Sequence, residues 1–224
     1  MALALHFHPL ASYCHKVLIA LYENGTPFEK QLVDLMDDAV RARFRDLWPI
    51  GKMPVLRDES RDRTIPESTV IIEYLDQHYP GPRALFPESA EARLDARLWD
   101  RFYDLYVSGP MQKIVGDHFR PQGAKDAQGV AEAMATLKTA YGMIDRHMAD
   151  KRWAIGEDFG IADCAAAPAL FFVETLVPFS KTHPNLAAYF KRLVNRPSFA
   201  RVIAEAKPYF HLYPFHDRIA ARFR

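Results

Sequence analysis

Glu67 and Ser68 place a carboxylate and a hydroxyl side by side at the start of an amphipathic helical pattern. A hydroxyl and an N–H at a helix N-terminus suit a carboxylate, and an acidic side chain suits an ammonium group. Upstream, Met53-Pro54 opens a short apolar strand, where a proline cannot donate to a sheet ladder. A cis bond there would turn the N–H and carbonyl of Met53 outward, free to pair with a peptide backbone. Together these residues predict a site for a small zwitterionic peptide.

The elements around this site alternate between strand and helix periodicity. A βαβ unit implies a parallel strand pair, and a hairpin at 57–64 adds an antiparallel pair. The elements predicted in residues 1–80 are a strand at 2–8, a helix ending near Gly25, a strand at 28–34, a helix at 38–47, strands near 54–57 and 63–66, and a helix from 67 to 78.

The rest of the chain shows helical periodicity after a proline-bounded linker at 81–87. The first predicted helix spans 88–116 and has an apolar stripe of Leu94, Leu98, Phe102 and Leu105. Further helices are predicted at about 125–149, 161–175 and 184–206. We therefore expect an α/β domain with a mixed sheet at 1–80 and an all-helical domain at 88–224.

Composition narrows the functional classes. The net charge of +1 over 224 residues gives no electrostatic case for binding nucleic acid or an anionic membrane. The N-terminal ten residues lack a basic leader, so we do not expect a signal peptide. The two distant cysteines, Cys14 and Cys164, form no disulfide framework and suit a reducing cytoplasm. His6 and His8 share a strand face but lack a third ligand at a recognisable spacing, so no metal site is predicted.

Four segments carry a resemblance to a known family: FHPLASYCHKVLIAL at 7–21, GKMPVL at 51–56, PESTVIIEYL at 66–75 and FGIADCAAAPAL at 159–170. They resemble the cytosolic glutathione S-transferase superfamily, most of all bacterial members of the theta, zeta and beta neighbourhood, which use a hydroxyl or thiol at the start of helix 1. The resemblance covers essentially the whole chain. It implies a thioredoxin-like N-terminal domain with a mixed four-stranded sheet, a C-terminal helical bundle and a homodimer with the helix around 88–108 at its interface.

The resemblance also implies an activity: addition of the glutathione thiolate to small apolar electrophiles, a detoxification reaction with glutathione as co-substrate and no metal. Ser12 is the candidate catalytic hydroxyl, and a helix N-cap is its alternative role. Lys52 is the candidate for the glycyl carboxylate, or else a solvated loop lysine. The residues expected to bind glutathione are Lys52, Met53, Pro54, Glu67 and Ser68.

The second substrate is expected to contact Tyr13, Tyr106 and Met111, with Tyr103 on the same predicted helix. Packing between helices is the alternative for the residues of that helix, and Tyr13 is also an alternative donor to sulfur. The aromatic tail at 207–215 either covers the mouth of the site or seals the helical core.

Two departures from the family pattern bear on function and folding. Many serine-type members carry the catalytic hydroxyl six residues before the valine that corresponds to Val17, and that position is Ala11 here. Gly160 stands where the family's capping box has Ser or Thr, ahead of Asp163. Three other functions therefore stay open: a zeta-like glutathione-dependent isomerase, a non-catalytic glutathione-binding module, and reduction through Cys14 alone. A dithiol mechanism is excluded because the first cysteine of a C-x-x-C pair is missing.

Overall fold

The computed structural model describes residues 2–224. Its first half alternates strands with helices, and its second half is helical. The strands are β1 Leu3–Phe7, β2 Glu29–Leu32, β3 Val55–Asp58 and β4 Arg63–Pro66. The helices are α1 Ser12–Asn24, α2 Asp38–Leu47, α3 Ser68–His78, α4 Ala90–Phe102, α5 Gly109–His118, α6 Ala127–His147, α7 Ile161–Leu176, α8 Pro184–Val194 and α9 Pro197–Ala206. Single 3₁₀ turns complete the tail after α9.

The four strands form one mixed sheet in the order β2-β1-β3-β4. β1 runs parallel to β2 and antiparallel to β3, and β3 pairs antiparallel with β4. Successive strand side chains point to opposite faces, so Leu56 joins the main core while Val55 packs with Val33 and Phe44 in a smaller cluster beside α2. The predicted thioredoxin-like domain with a mixed four-stranded sheet, followed by a helical domain, is confirmed.

The centre of the helical half is α7, whose residues are almost all buried. It packs against α1 on one side and against α4 and α8 on the other. The alanines Ala165, Ala166 and Ala167 lie fully inside, where their small side chains let neighbouring helices approach. Because α1 carries the start of the candidate site, α7 is the element that joins that site to the helical domain.

The predicted helix at 88–116 is wrong in two respects. It is interrupted by a π-helical segment at Tyr103–Ser108, which separates α4 from α5. In addition, Leu94, Leu98 and Leu105 are each more than half exposed, whereas Asp100 is fully buried. The three leucines of the predicted stripe therefore face outward while Phe102 is buried, and the inward side of α4 carries Asp100, whose carboxylate is paired with Lys16 inside the protein. Val70 on α3 is also half exposed, while Ile71 and Ile72 are buried.

Two hydrogen bonds at Leu85 hold the segment that connects the sheet domain to the helical domain. The Leu85 N–H donates to Asp76 Oδ1 at 3.0 Å, and its carbonyl accepts from the Ile161 N–H at 2.9 Å. A Cβ atom at Gly160 would lie 2.9 Å from that carbonyl oxygen, closer than real Cβ atoms approach. This contact explains why glycine replaces Ser or Thr before α7. Asp163 Oδ2 still accepts from the Gly160 N–H at 2.9 Å, as predicted.

Asp58, fully buried at the end of β3, ties the β3–β4 hairpin to the end of α3. Its carboxylate accepts from the hydroxyls of Tyr74 at 2.7 Å, Tyr79 at 2.5 Å and Ser60 at 2.7 Å. Burial by itself raises the pKa of a carboxyl, but these hydrogen bonds outweigh burial and lower the pKa of Asp58 to about 2. The hairpin leads directly into α3, so Asp58 also supports the position of Glu67 and Ser68.

We expect Asp58→Asn to lower the free energy of unfolding by about 2 kcal/mol at pH 7. The folded pKa lies below the unfolded value, so the carboxylate stabilises the fold above about pH 4 and this contribution is lost as the pH falls towards 2. Urea unfolding of both proteins between pH 7 and pH 3 measures the difference, which should shrink below about pH 4. Asp62→Asn, at an exposed carboxylate on the same hairpin, is the control. A difference that is independent of pH would contradict the assignment.

Candidate functional site

The turn between β1 and α1 places Ser12 at the start of a helix. Ala11 is the N-cap residue, and Ser12 is the first helical residue with a side chain only 5% exposed. The turn is fixed by the Ala11 N–H, which donates to the His8 carbonyl at 3.0 Å, and by the Leu10 N–H, which donates to His8 Nδ1 at 3.2 Å. Ala11, and not Ser12, is therefore the N-cap residue of α1. The Ser12 hydroxyl is left to face the two cavities beside this turn.

The predicted peptide-binding residues converge on the same region. The Met53-Pro54 bond is cis, and the β3–β4 ladder begins only at Val55, so the backbone of Met53 stands outside the ladder. Glu67 occupies the N-cap position of α3 with φ +67°, and Ser68 is its first residue. A positive φ is uncommon for glutamate, and such residues concentrate at binding sites. The residues that the sequence predicted to bind a peptide therefore border one common cavity.

That space is a cavity of about 630 Å³ between the sheet domain and α4–α5. It brings together Ser12, Tyr13 and all five residues predicted to bind glutathione. Its lining residues are His8, Leu10, Ala11, Ser12, Tyr13, Val33, Asp34, Leu35, Met36, Gly51, Lys52, Met53, Pro54, Glu67, Ser68, Arg101, Asp104 and Gln112. Charged and polar groups from several elements therefore surround a volume suited to a small peptide.

A second cavity of about 380 Å³ adjoins the first at Ser12 and is mainly apolar. Met111 lines it, together with residues of the C-terminal tail. The full lining is Leu10, Ala11, Ser12, Met111, Gln112, Val115, Gly116, Phe119, Phe172, Leu212, Tyr213 and Pro214. Leu10, Ala11, Ser12 and Gln112 border both cavities. The polar cavity and the apolar cavity therefore meet at Ser12, whose side chain carries a hydroxyl.

Three residues expected at the second-substrate pocket lie elsewhere. Tyr13 lines the polar cavity and not the apolar one. Tyr106 is half exposed, packs against Phe102 with ring centroids 5.3 Å apart and lines neither cavity. Tyr103 is fully buried in the core. The predictions for Tyr103 and Tyr106 assume a continuous α-helix. The π-helical segment changes which side chains face the site. In the C-terminal tail, the Tyr213 hydroxyl is anchored in the core 2.9 Å from Thr175 Oγ1, while Leu212 and Pro214 line the apolar cavity.

A buried ionic cluster beside the first cavity was missed by the sequence analysis. The Lys16 ammonium, in a side chain 1% exposed, lies 2.6 Å from Asp100 Oδ1, 2.8 Å from Asp104 Oδ2 and 2.9 Å from Thr69 Oγ1. Thr69 in turn donates to Asp100 Oδ2 at 2.7 Å, and Arg101 approaches Asp104 Oδ2 at 3.1 Å. Two features of the sequence indicate this cluster. Lys16 lies inside the apolar run of α1, and the carboxylates of Asp100 and Asp104 are four residues apart, where they repel each other unless a cation lies near.

The local environment decides which groups ionise. Burial, followed by the negative charge of Asp104, raises the pKa of Tyr13 to about 12, and its hydroxyl donates to the Asp104 carbonyl at 3.2 Å. Burial also raises the pKa of the Asp104 carboxyl, against the opposing effect of Lys16. Cys14 is fully buried, and burial raises the pKa of its thiol to about 12. Tyr13 and Cys14 are therefore neutral near pH 7, which argues against Cys14 as a thiolate nucleophile.

Within residues 2–224, no group of three or more His, Cys, Asp or Glu side chains is arranged to hold a metal ion. Over the same residues, no helix combines the length and apolar character needed to cross a bilayer.

Comparison with known families agrees with the geometry. The model of the glutathione S-transferase N-terminal domain matches residues 5–83, and that of the glutathione S-transferase C-terminal domain matches residues 102–197. This chain therefore belongs to the glutathione S-transferase superfamily, and the predicted membership is confirmed.

Individual relatives are similar over most of the chain. Glutathione S-transferase GstB of Escherichia coli K12 is 27% identical over 84% of this chain and 91% of its own length. A stringent starvation protein A homolog of Haemophilus influenzae is 32% identical over 88% of this chain and 87% of its own. The glutathione S-transferase of Methylobacillus flagellatus KT, solved with glutathione bound, has a TM-score of 0.83 and 25% identity over 89% of this chain and 98% of its own.

We expect Lys16→Met to lower the free energy of unfolding by about 3–5 kcal/mol, because it leaves buried carboxylates without their cation. Urea unfolding at pH 7 measures the loss. The control is Lys151→Met, which breaks the surface ion pair between Lys151 and Asp150 and should cost about 1 kcal/mol or less. Equal losses in the two variants would show that the Lys16 cluster does not hold the elements together.

Proposed function

We propose that this protein is a glutathione transferase that joins the sulfur of glutathione to small apolar electrophiles. One observation carries the proposal: the Ser12 hydroxyl, at the N-terminus of α1, lies where a polar peptide-sized cavity meets an apolar one. Similarity to glutathione S-transferases, including structures solved with glutathione or glutathione sulfonate, supports glutathione as the occupant of the polar cavity. The proposed setting is detoxification in the cytoplasm.

In this proposal the polar cavity holds glutathione by its charged ends and its backbone. Glu67 faces the ammonium, and the N–H and hydroxyl of Ser68 bind the adjacent carboxylate at the N-terminus of α3. The backbone of Met53, beside the cis Pro54 bond, pairs with the cysteinyl peptide group. Lys52, whose side chain is exposed at the cavity, reaches the glycyl carboxylate. This pose directs the cysteinyl sulfur towards Ser12 and the apolar cavity.

Ser12 stabilises the sulfur as a thiolate. A free thiol has a pKa near 8.5, and lowering it by about two units corresponds to about 2.7 kcal/mol of preferential thiolate binding. One hydrogen bond from the Ser12 hydroxyl and the positive end of the α1 dipole supply interactions of that size. The thiol proton leaves to solvent, and the thiolate lone pair forms the new bond to carbon while the bond from that carbon to its leaving group breaks and the leaving group departs to solvent with the electron pair. Met111 and the tail residues then surround the apolar electrophile.

The role proposed for Ser12 predicts a lowered pKa for the thiol of bound glutathione. We expect bound glutathione to show its thiolate ultraviolet absorbance with a midpoint about two pH units below that of free glutathione. Ser12→Ala should move the midpoint back by about one unit or more and cut turnover, because the hydroxyl donor is lost. Tyr13→Phe is the matched control, since the Tyr13 hydroxyl already donates to the Asp104 carbonyl. Loss of the shift in Tyr13→Phe instead would reassign the donor to Tyr13.

A non-catalytic glutathione-binding module is the second candidate function. The alanine at position 11 and the 32% identity to a stringent starvation protein A homolog favour it. An unshifted midpoint in the presence of demonstrated glutathione binding would select this function over the transferase. A zeta-like isomerase would use the same activated sulfur, and turnover of an isomerisation substrate without conjugation would identify it.

We also propose a homodimer that buries the outward apolar face of α4. Leu94 and Leu98 are about 60% exposed, and the ion pair between Arg97 and Glu73 brings this face beside the half-exposed Val70 of α3. Exposed apolar patches of this kind mark interfaces between chains. The face lies within the helix that the family resemblance places at the interface.

We expect the wild-type protein to elute from gel filtration as a dimer and the double variant Leu94→Glu/Leu98→Glu as a monomer, because carboxylates would be buried at the interface. Leu32→Glu changes a half-exposed leucine on β2 and should leave the dimer intact. Elution of the wild type at the volume of a 25.7 kDa monomer would contradict the proposal.

A further inference from the structure

The imidazole of His8 forms part of the turn that leads into Ser12. His8 directly follows β1, and its Nδ1 accepts from the N–H of Leu10, two residues further along the chain, at 3.2 Å. The His8 carbonyl accepts from the Ala11 N–H at 3.0 Å. A side-chain acceptor that bonds the N–H two residues on has the connectivity of an Asx turn, which asparagine and aspartate commonly form. Here a histidine supplies that acceptor.

The hydrogen bond from Leu10 requires a neutral imidazole. One nitrogen of a neutral imidazole accepts and the other carries the proton, whereas both nitrogens of an imidazolium are donors. Because Nδ1 of His8 accepts, its proton lies on Nε2. Burial lowers the pKa of His8, against the opposing charge of Asp34, so the ring is neutral near pH 7. The other titratable groups beside it are Tyr209, with ring centroids 6.1 Å apart, and His15 in α1.

A second imidazole holds the same turn from inside the core. His15 Nε2 lies 2.5 Å from the carbonyl oxygen of Pro9, and the His15 ring packs against Phe172 with centroids 5.6 Å apart. His15 is fully buried, and burial lowers its pKa to about 4. His8, by contrast, is half-buried and lines the polar cavity. Two imidazoles therefore hold successive residues of the turn, and the one at His8 is open to the cavity.

We infer that His8 is a positioning residue for Ser12: its neutral imidazole holds the turn that presents the Ser12 hydroxyl to sulfur, and protonation of the imidazole releases that turn. This inference rests on the proposed transferase function and deepens it, because it assigns a pH-dependent element to the same site. A protonated Nδ1 would oppose the Leu10 N–H as donor against donor, so the hydrogen bond is lost. Displacement of a reacting group by about 1 Å can lower a rate by about 100-fold.

The test measures conjugation of glutathione to benzyl chloride. An asparagine at position 8 can place Oδ1 where His8 has Nδ1, so His8→Asn should keep kcat/KM within about 3-fold of the wild type. His8→Ala removes the acceptor and should lower kcat at pH 7 by about 10-fold, with the KM for glutathione unchanged. His6→Ala is the matched control and should change neither constant, because His6 lies on the same face of β1 and lines neither cavity.

Two further readouts show whether His8 acts through Ser12. His8→Ala should raise the thiolate midpoint of bound glutathione, and the double variant His8→Ala/Ser12→Ala should be no worse than Ser12→Ala alone, since both changes remove one interaction. Between about pH 7 and pH 5 the wild type should lose more activity than His8→Asn, because imidazole titrates in this range and a carboxamide does not. The extra loss should not exceed that of His8→Ala at pH 7.

The possible outcomes separate this inference from the proposed function. Equal losses in His8→Asn and His8→Ala, additive losses in the double variant, or a raised KM for glutathione in His8→Ala would each give the imidazole a direct role and overturn the inference. Full activity in His8→Ala, or the same acid loss in the wild type and His8→Asn, would also overturn it while the transferase function stands. A wild type without conjugation and with an unshifted thiolate midpoint would remove both.

Discussion

The buried ammonium of Lys16 is the constraint on which the arrangement of the site depends. Taking an ammonium out of water is costly unless several partners replace its hydration, and here the partners come from three other parts of the chain: α3, α4 and the π-helical segment. The cluster therefore ties α1 to the start of α3, to the end of α4 and to the π-helical segment. Ser12 and Ser68 stand at the starts of α1 and α3, so one desolvated charge sets the relative positions of these two residues of the polar cavity.

Around that frame the two compartments have different physical character. The polar cavity is lined by charged groups and helix N-termini, which suit a zwitterionic peptide, while the adjoining one is lined by aliphatic and aromatic side chains. The turn from His8 to Ser12 belongs to both. Its hydrogen bonds to the carbonyl and to Nδ1 of His8 hold the backbone that leads into Ser12. Preorganisation of this kind is what lets one hydrogen bond contribute to catalysis.

Local periodicity was enough to predict β1, whose residues alternate between buried and half-buried. The signal was weaker for α1, which is buried at every position from 14 to 21, and for β2, which is largely exposed. It also located Glu67, Ser68 and Pro54, because turn and cap chemistry is local. It failed at α4 and the π-helical segment after it, where apolar leucines face outward and Asp100 and Asp104 face inward. A pattern that assigns charges to solvent cannot foresee carboxylates paired with Lys16, which in the case of Asp104 lies 88 residues away in the sequence. Tyr106 was misplaced for a related reason, since a π-helical segment is a tertiary adjustment with no clear local signature.

The hydrogen bonds at Leu85 also determine how the two domains are joined. The connection between the two domains is bonded on one side to Asp76 and on the other to Ile161, with Gly160 packed against its carbonyl. Separation of the domains at this point breaks one of the two hydrogen bonds, so the connection links α3 to α7 and is not a loose tether. Because a Cβ atom at position 160 would press on the Leu85 carbonyl, a substitution there disturbs both domains at once.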